Sequence, residues 1–199
     1  MRVQGIMRKN TYLLHRLAAI GVLTGMSLIV FIVESFFPPL FVPGAKLGLS
    51  NLFSLIALIL WSPVEAFAIL ICRTLLGSIL VGNLSSLVYS LCAGTAALAV
   101  GSVLLYTVFP RIGFVCISVT SAVVHNIVQN AIFCAMSGVA QAWGYLPYLI
   151  LLAIISGIAT GACTVWIVRA LPPHIYNKTM IPLVAPAQPQ AHPTDQNAA

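Results

Sequence analysis

The sequence predicts an all-α, polytopic integral membrane protein with six transmembrane helices. Of its 199 residues, 60% are hydrophobic and only 6% are charged, whereas a soluble globular protein carries about a quarter charged residues. So few charged side chains cannot cover a water-facing surface, and lipid is therefore the expected solvent. Apolar segments separated by proline, glycine and basic residues indicate how often the chain crosses the membrane.

Six apolar segments are expected to form the helices. The first is long enough to cross about 30 Å of hydrocarbon at about 1.5 Å per residue. It is too long for a cleaved signal peptide, and no small-residue cleavage site follows it. The second segment is shorter, and it either spans marginally or re-enters the membrane. In chain order the segments are residues 14–36, 46–61, 64–81, 84–108, 112–137 and 147–169.

Helix-breaking residues mark the boundaries between these segments. Pro63 follows the second segment, and Gly82 with Asn83 turns the chain after the third. Pro110 ends the fourth segment, because proline cannot continue a helix. Aromatic residues such as Trp143 precede the sixth segment, which is typical of a membrane interface.

The basic residues favour six crossings with both termini in the cytoplasm, and they place the chain in the cytoplasmic membrane of a cell. Arg73 lies inside the third segment, and Lys46 is the one basic residue on the outer side. Five crossings would move Arg169 outside and weaken this bias. The net charge of +6 is therefore explained by basic residues on the cytoplasmic side of the membrane, and no nucleic-acid partner is expected. The residues on the inner side are Arg2, Arg8, Lys9, Arg16, Arg111, Arg169 and Lys178.

Three regions follow from this pattern. Residues 1–13 form a basic cytoplasmic N-terminus, and residues 14–169 form the six-helix membrane domain. Residues 170–199 are rich in proline and in small and polar residues. Such a composition cannot build an apolar core, so a disordered cytoplasmic tail is expected.

Two polar features stand out within the apolar segments. Residues 43–51 read PGAKLGLSN, and glycine there lets the backbone approach a ligand closely. His125 and Gln129 share a narrow face of the fifth helix with Asn126 beside them. Such a polar stripe either lines a binding site or forms hydrogen bonds with a neighbouring helix.

Arg73 is the other candidate, because an arginine near the bilayer centre costs about 2.5–3.5 kcal/mol on insertion scales. Arg73 either binds a ligand or forms a structural ion pair, for example with Glu34. The six-helix topology gathers the polar groups toward the outer side, where positive charge favours an anionic or zwitterionic small molecule. The predicted ligand contacts are Lys46, Asn51, Arg73, His125, Asn126 and Gln129.

Small residues at four-residue spacing let membrane helices pack closely. Ala93, Ala97 and Gly101 form one such face, Gly157 and Gly161 form another, and internal packing is the expected role for most of these faces. Gly21 and Gly25 lie on the first helix and are candidates for contact with a separate membrane protein.

The sequence also lacks several catalytic motifs. It has no phosphate-binding loop of the G-x-x-x-x-G-K-[ST] type for ATP hydrolysis. Its three acids, Glu34, Glu65 and Asp195, are far apart in sequence, so no magnesium cluster is predicted. The five cysteines have no metal-ligand spacing. No catalytic residue, metal or cofactor is therefore assigned.

Three ordered motifs resemble the Gx transporter family, which also carries the label heptaprenyl diphosphate synthase component I. They are PGAKLGLSN at residues 43–51, RTLLGS at residues 73–78 and HNIVQ at residues 125–129. The family is similar to the substrate-binding S components of energy-coupling factor (ECF) transporters. That similarity implies an S-component-like bundle of six helices that binds a nutrient from outside, together with a membrane partner and two ATPases. In this chain Gly21 and Gly25 would contact the membrane partner.

Three functions follow as alternatives. The preferred one is a membrane subunit that binds a small solute for uptake driven by the ATPase partner. The second is a non-catalytic subunit of heptaprenyl diphosphate synthase, because a synthase needs carboxylates and magnesium that this chain lacks. The third is an ion-coupled carrier that uses His125 and Glu34, for which no inverted repeat is present.

Overall fold

The computed structural model describes residues 2–36 and 48–170, and every secondary-structure element in this part of the chain is a helix. It confirms the all-α fold and the six predicted helices. A short 3₁₀ helix, Ala140–Tyr145, precedes the last of them. Ala170 ends that helix, and the rest of the predicted tail lies outside the described residues. The six α-helices are Arg2–Phe36 (α1), Asn51–Leu60 (α2), Pro63–Val81 (α3), Leu84–Thr107 (α4), Phe114–Ser137 (α5) and Leu146–Ala170 (α6).

Within residues 2–36 and 48–170, five stretches are long and apolar enough to cross a membrane, and the chain is a multi-pass membrane protein. They are Arg16–Phe36 within α1, the whole of α3, α4 and α5, and Ala140–Ala170. Helix α2 is the exception, because its ten residues rise only about 15 Å at about 1.5 Å per residue. That is about half of the hydrocarbon thickness. Within the described residues the second predicted segment, 46–61, is therefore a half-length helix.

Local sequence explains where the helices begin and end. Pro63 is the first residue of α3, where its missing N–H costs no helical hydrogen bond. Gly82 ends α3 with a φ of 71°, a left-handed conformation that glycine adopts without strain. Asn83 then caps α4, since its side chain accepts a hydrogen bond of 3.0 Å from the N–H of Ser86.

Helices α1 and α3 run parallel, and three contacts fix their register. Arg16 forms an ion pair with Glu65 at one end. Halfway along, Arg73 contacts Ser27 of α1. Further on, Gly77 lies so close to Phe31 that a Cβ atom there would be 2.3 Å from the ring. Helix α2 runs antiparallel to both, from the level of Arg73 back to the end that holds the ion pair.

Helix α2 forms the centre of the apolar core. Every residue from Ser54 to Leu60 is buried, because α2 packs against α1, α3, α4 and α6. Its side chains share one hydrophobic cluster with Ile69 and Leu70 of α3 and Leu105 of α4. This cluster surrounds α2 in the half of the bundle near the ion pair, and the polar residue Asn51 lies at the other end of α2.

The small-residue faces divide into two kinds. Gly157 and Gly161 of α6 lie against the backbone of α5, where an added Cβ atom would be 2.7 Å from Val119 Cα and 2.8 Å from Val115 Cα. They therefore serve the internal packing that the sequence predicted. Gly21 and Gly25 differ, because nothing lies within 4 Å of a Cβ atom built on either. This outer face of α1 is open, and its contact with a partner stays a prediction.

We expect Gly157→Ala to lower stability in mild detergent by about 1–3 kcal/mol, since the new methyl group meets backbone that cannot move aside. Gly21→Ala is the matched control, because its methyl group meets no neighbour. The midpoint of thermal unfolding measures both. Equal midpoints for the two variants would contradict the described packing of α5 on α6.

Candidate functional site

Arg73 lies halfway along α3 and is only 2% exposed. One terminal nitrogen, Nη2, donates a hydrogen bond to Oδ1 of Asn51 in α2. The other, Nη1, lies 3.4 Å from Oγ of Ser27 in α1. A guanidinium inside a bilayer must find such partners within the protein, because lipid tails accept no hydrogen bonds. Arg73 therefore joins α1, α2 and α3.

Asn51 continues this chain of contacts to α5. Its Nδ2 atom lies 3.2 Å from Nδ1 of His125. Both side chains are at the level of Arg73, and His125 is 5% exposed. We call Ser27, Asn51, Arg73 and His125 the central polar network. Four helices supply these side chains, one each from α1, α2, α3 and α5.

Gly48 explains why the chain can enter α2 at this depth. Its φ of 74° is left-handed, and its C=O accepts a hydrogen bond of 2.9 Å from the N–H of Asn51. A Cβ atom on Gly48 would lie 3.2 Å from Asn51 Nδ2 and 3.6 Å from His125 Cδ2. Glycine is therefore needed for both the turn and the close approach to the histidine ring.

Two hydrogen bonds attach the segment 48–51 to α1. The N–H of Leu49 donates to Oε1 of Glu34 at 2.7 Å. The hydroxyl of Ser27 donates to the C=O of Ser50 at 3.1 Å. Glu34 is 6% exposed, and its negative charge also acts on Arg73. The polar segment at the start of α2 is thus held by the same face of α1 that meets the guanidinium.

A cavity of about 40 Å³ lies beside the central polar network, between α2, α4, α5 and α6. Asn51 and His125 belong to its lining, whereas Arg73 lies behind Asn51 and does not. On the α4 side the wall is formed by Leu98 and by the small residues Gly94, Ala97 and Gly101. The polar lining is completed by the hydroxyl groups of Ser54, Ser118, Ser121, Ser156 and Thr160.

The structure brings together three of the six predicted ligand contacts. Asn51, Arg73 and His125 are connected, as described above. Asn126 instead donates a hydrogen bond of 2.9 Å to the C=O of Leu149, so it ties α5 to α6. Gln129 is buried one turn beyond His125, and Lys46 lies outside the described residues.

Sequence reasoning missed Ser27 and Ser54. Ser27 lies seven residues before Glu34, which places both on one face of α1, and this spacing could have revealed it. Ser54 gives no such signal, because a lone serine in an apolar segment is usually satisfied by its own helix. Only the position of the α2 helix shows that Ser54 faces the cavity.

Within residues 2–36 and 48–170, no group of three or more histidine, cysteine or acidic side chains is placed to hold a metal ion. The two described acids lie apart. Glu34 binds the segment before α2, whereas Glu65 contacts Arg16 and Ser62 at the other end of α3. The contacts of the central polar network are hydrogen bonds between neutral side chains and one guanidinium.

A family model described as heptaprenyl diphosphate synthase component I matches residues 23–167 of the chain. The match includes every residue of the central polar network. No curated protein and no solved structure matches the chain.

We expect Asn51→Leu to destabilise the protein by about 1–3 kcal/mol, because it leaves a charged donor of Arg73 unpaired inside the bundle. The double variant with Arg73→Met should lose less stability than the two single variants together, with a coupling of about 0.5–3 kcal/mol. Denaturation in detergent micelles measures all three.

Asn126→Leu is the matched control, since Asn126 binds Leu149 and not Arg73. Its effect should add to that of Arg73→Met without coupling. Strict additivity for the pair Asn51→Leu and Arg73→Met would contradict the proposed link between α2 and α3.

Proposed function

Because this chain belongs to the heptaprenyl diphosphate synthase component I family, we propose that it is the membrane-embedded, non-catalytic subunit of such a synthase. The family match over residues 23–167 carries this proposal. The matched region coincides with the helical bundle, so the family relationship concerns the membrane domain itself. The catalytic chain would then be a separate second component.

The placement of the acids supports a non-catalytic role. Ionising an allylic diphosphate requires carboxylates that converge on magnesium. Arg16, the partner of Glu65, is 18 residues from Glu34 in α1, which is about 27 Å at about 1.5 Å per residue. Glu34 and Glu65 therefore cannot share one metal ion. The remaining acid, Asp195, lies outside the described residues.

A membrane subunit suits the chemistry of the product. A heptaprenyl chain is a long hydrocarbon, and burying each methylene group in lipid contributes about 0.8 kcal/mol. A helical bundle in the bilayer can hold the catalytic chain at the membrane surface, where the hydrocarbon product passes from water into lipid. We propose that the partner binds on the cytoplasmic side, where the sequence places both termini and the basic residues.

This role predicts that the tagged chain, purified from its native membrane in mild detergent, retains a soluble prenyltransferase subunit. Supplied with magnesium, an unlabelled allylic diphosphate and radiolabelled isopentenyl diphosphate, the complex should form heptaprenyl diphosphate, whereas the tagged chain alone should not. Mass spectrometry identifies the partner. Activity of the isolated chain, or a preparation without any prenyltransferase, would contradict the proposal.

The cavity favours a second candidate, the solute-binding subunit of an uptake system. A pocket that combines small-residue walls with a few converging polar groups is typical of a small-molecule site. A membrane protein with two ATPases would drive the uptake, and this membrane protein would bind the open face of α1 at Gly21 and Gly25.

This second candidate makes its own prediction. Gly21→Leu and Gly25→Leu should remove co-purified ATPases without lowering the midpoint of thermal unfolding, because neither position touches another helix of the bundle. Recovery of ATPases from the wild type would favour uptake over the synthase. If the leucine variants keep such ATPases, the α1 face is not the contact.

A further inference from the structure

The hydrogen-bonding partners of Asn51 fix the orientation of its amide group. A guanidinium has only donors, so the atom of Asn51 that faces Arg73 must be the carbonyl oxygen. The opposite orientation would place an NH₂ group against the N–H groups of Arg73. The NH₂ group of Asn51 therefore faces His125.

This orientation determines where His125 carries its proton. The amide NH₂ can only donate, so Nδ1 of His125, at 3.2 Å, must be the acceptor. The ring is then neutral, with its proton on Nε2. Nε2 lies on the side of Gly48, 3.8 Å from where a Cβ atom of that residue would be. Arg73 thus sets the protonation of a cavity-lining histidine through Asn51.

Two buried hydroxyl groups in the cavity lining have no hydrogen-bond partner among the described residues. They belong to Ser54, which is 3% exposed, and to Ser121. Other serines and threonines of the lining differ, because Ser118 and Thr160 pair with each other at 2.8 Å. A buried hydroxyl without a partner is costly, so Ser54 and Ser121 indicate that a molecule with hydrogen-bonding groups occupies the cavity.

The lining also limits the charge and size of that molecule. None of the described residues that line the cavity is charged, and an ion taken out of water without a counter-charge is strongly disfavoured. One water molecule needs about 10–15 Å³ of cavity volume. The cavity of about 40 Å³ therefore holds about three waters or a molecule of a few heavy atoms.

From these observations we propose that the cavity is a binding site for a small uncharged molecule that bears hydroxyl or carbonyl groups. Ser54 and Ser121 bind it, and the relay from Arg73 through Asn51 keeps His125 neutral beside it. The anionic or zwitterionic ligand predicted from Lys46 and Arg73 stays a prediction, since Lys46 lies outside the described residues, whereas Arg73 contacts Asn51 and Ser27 and does not line the cavity. The proposal is independent of the synthase role.

Ethylene glycol and acetate are suitable probes, since each has four heavy atoms and only acetate is charged. The full-length chain is labelled with ¹⁵N-histidine, reconstituted in lipid nanodiscs and titrated with each probe. Ethylene glycol should shift the His125 signals saturably, and acetate should not. Ser54→Ala should weaken glycol binding by about tenfold. Ser137→Ala is the matched control, because Ser137 is exposed and bonds to the C=O of Phe133.

The same spectra of the wild-type chain test the relay from Arg73 through Asn51 to His125. The His125 signals, assigned by their loss in His125→Gln, should show an unprotonated Nδ1 and a protonated Nε2 at neutral pH. A protonated Nδ1 would overturn the relay. Saturable binding of acetate, or a cavity that admits water but not glycol, would overturn the assignment of the ligand class.

Discussion

The need to satisfy one guanidinium inside a bilayer shapes the centre of this protein. Arg73 cannot reach water from the middle of α3, and lipid offers it no acceptor. Its partners come from the start of α2 and from the middle of α1. Asn51 meets Arg73 because α2 begins at the level of the guanidinium, and Gly48 permits the turn into that helix. The half-length of α2 and its burial among four helices follow from this arrangement.

Composition and charge predict much of this fold, because the bilayer imposes simple rules. The apolar segments, their boundaries at Pro63 and Gly82, and the close packing at Gly157 follow from the sequence. The half-length of α2 does not, since an apolar segment looks the same whether it crosses the membrane or stops midway. Asn126 shows the limit for the site. Its place beside His125 suggested a shared role, but only the position of α6 reveals that it bonds to Leu149.

The two ends of the bundle have different chemistry, and this bears on function. Near Arg16 and Glu65 the interior is a continuous apolar core around α2. At the start of α2 the interior becomes polar, and the small cavity lies beside residues 51–55 of that helix, next to the apolar core. A subunit of a synthase needs only the outer surface of such a bundle to hold its partner. The cavity and its relay are therefore a separate property, which either function can use.

The most direct test of the central polar network is a distance measurement by solid-state NMR in lipid bilayers. Selective labels on the guanidinium nitrogens of Arg73 and on the side-chain carbonyl carbon of Asn51 report whether these groups touch. The structure predicts a strong dipolar coupling between them and none between the guanidinium and lipid acyl chains. A guanidinium in contact with lipid headgroups or bulk water, without coupling to Asn51, would contradict the account.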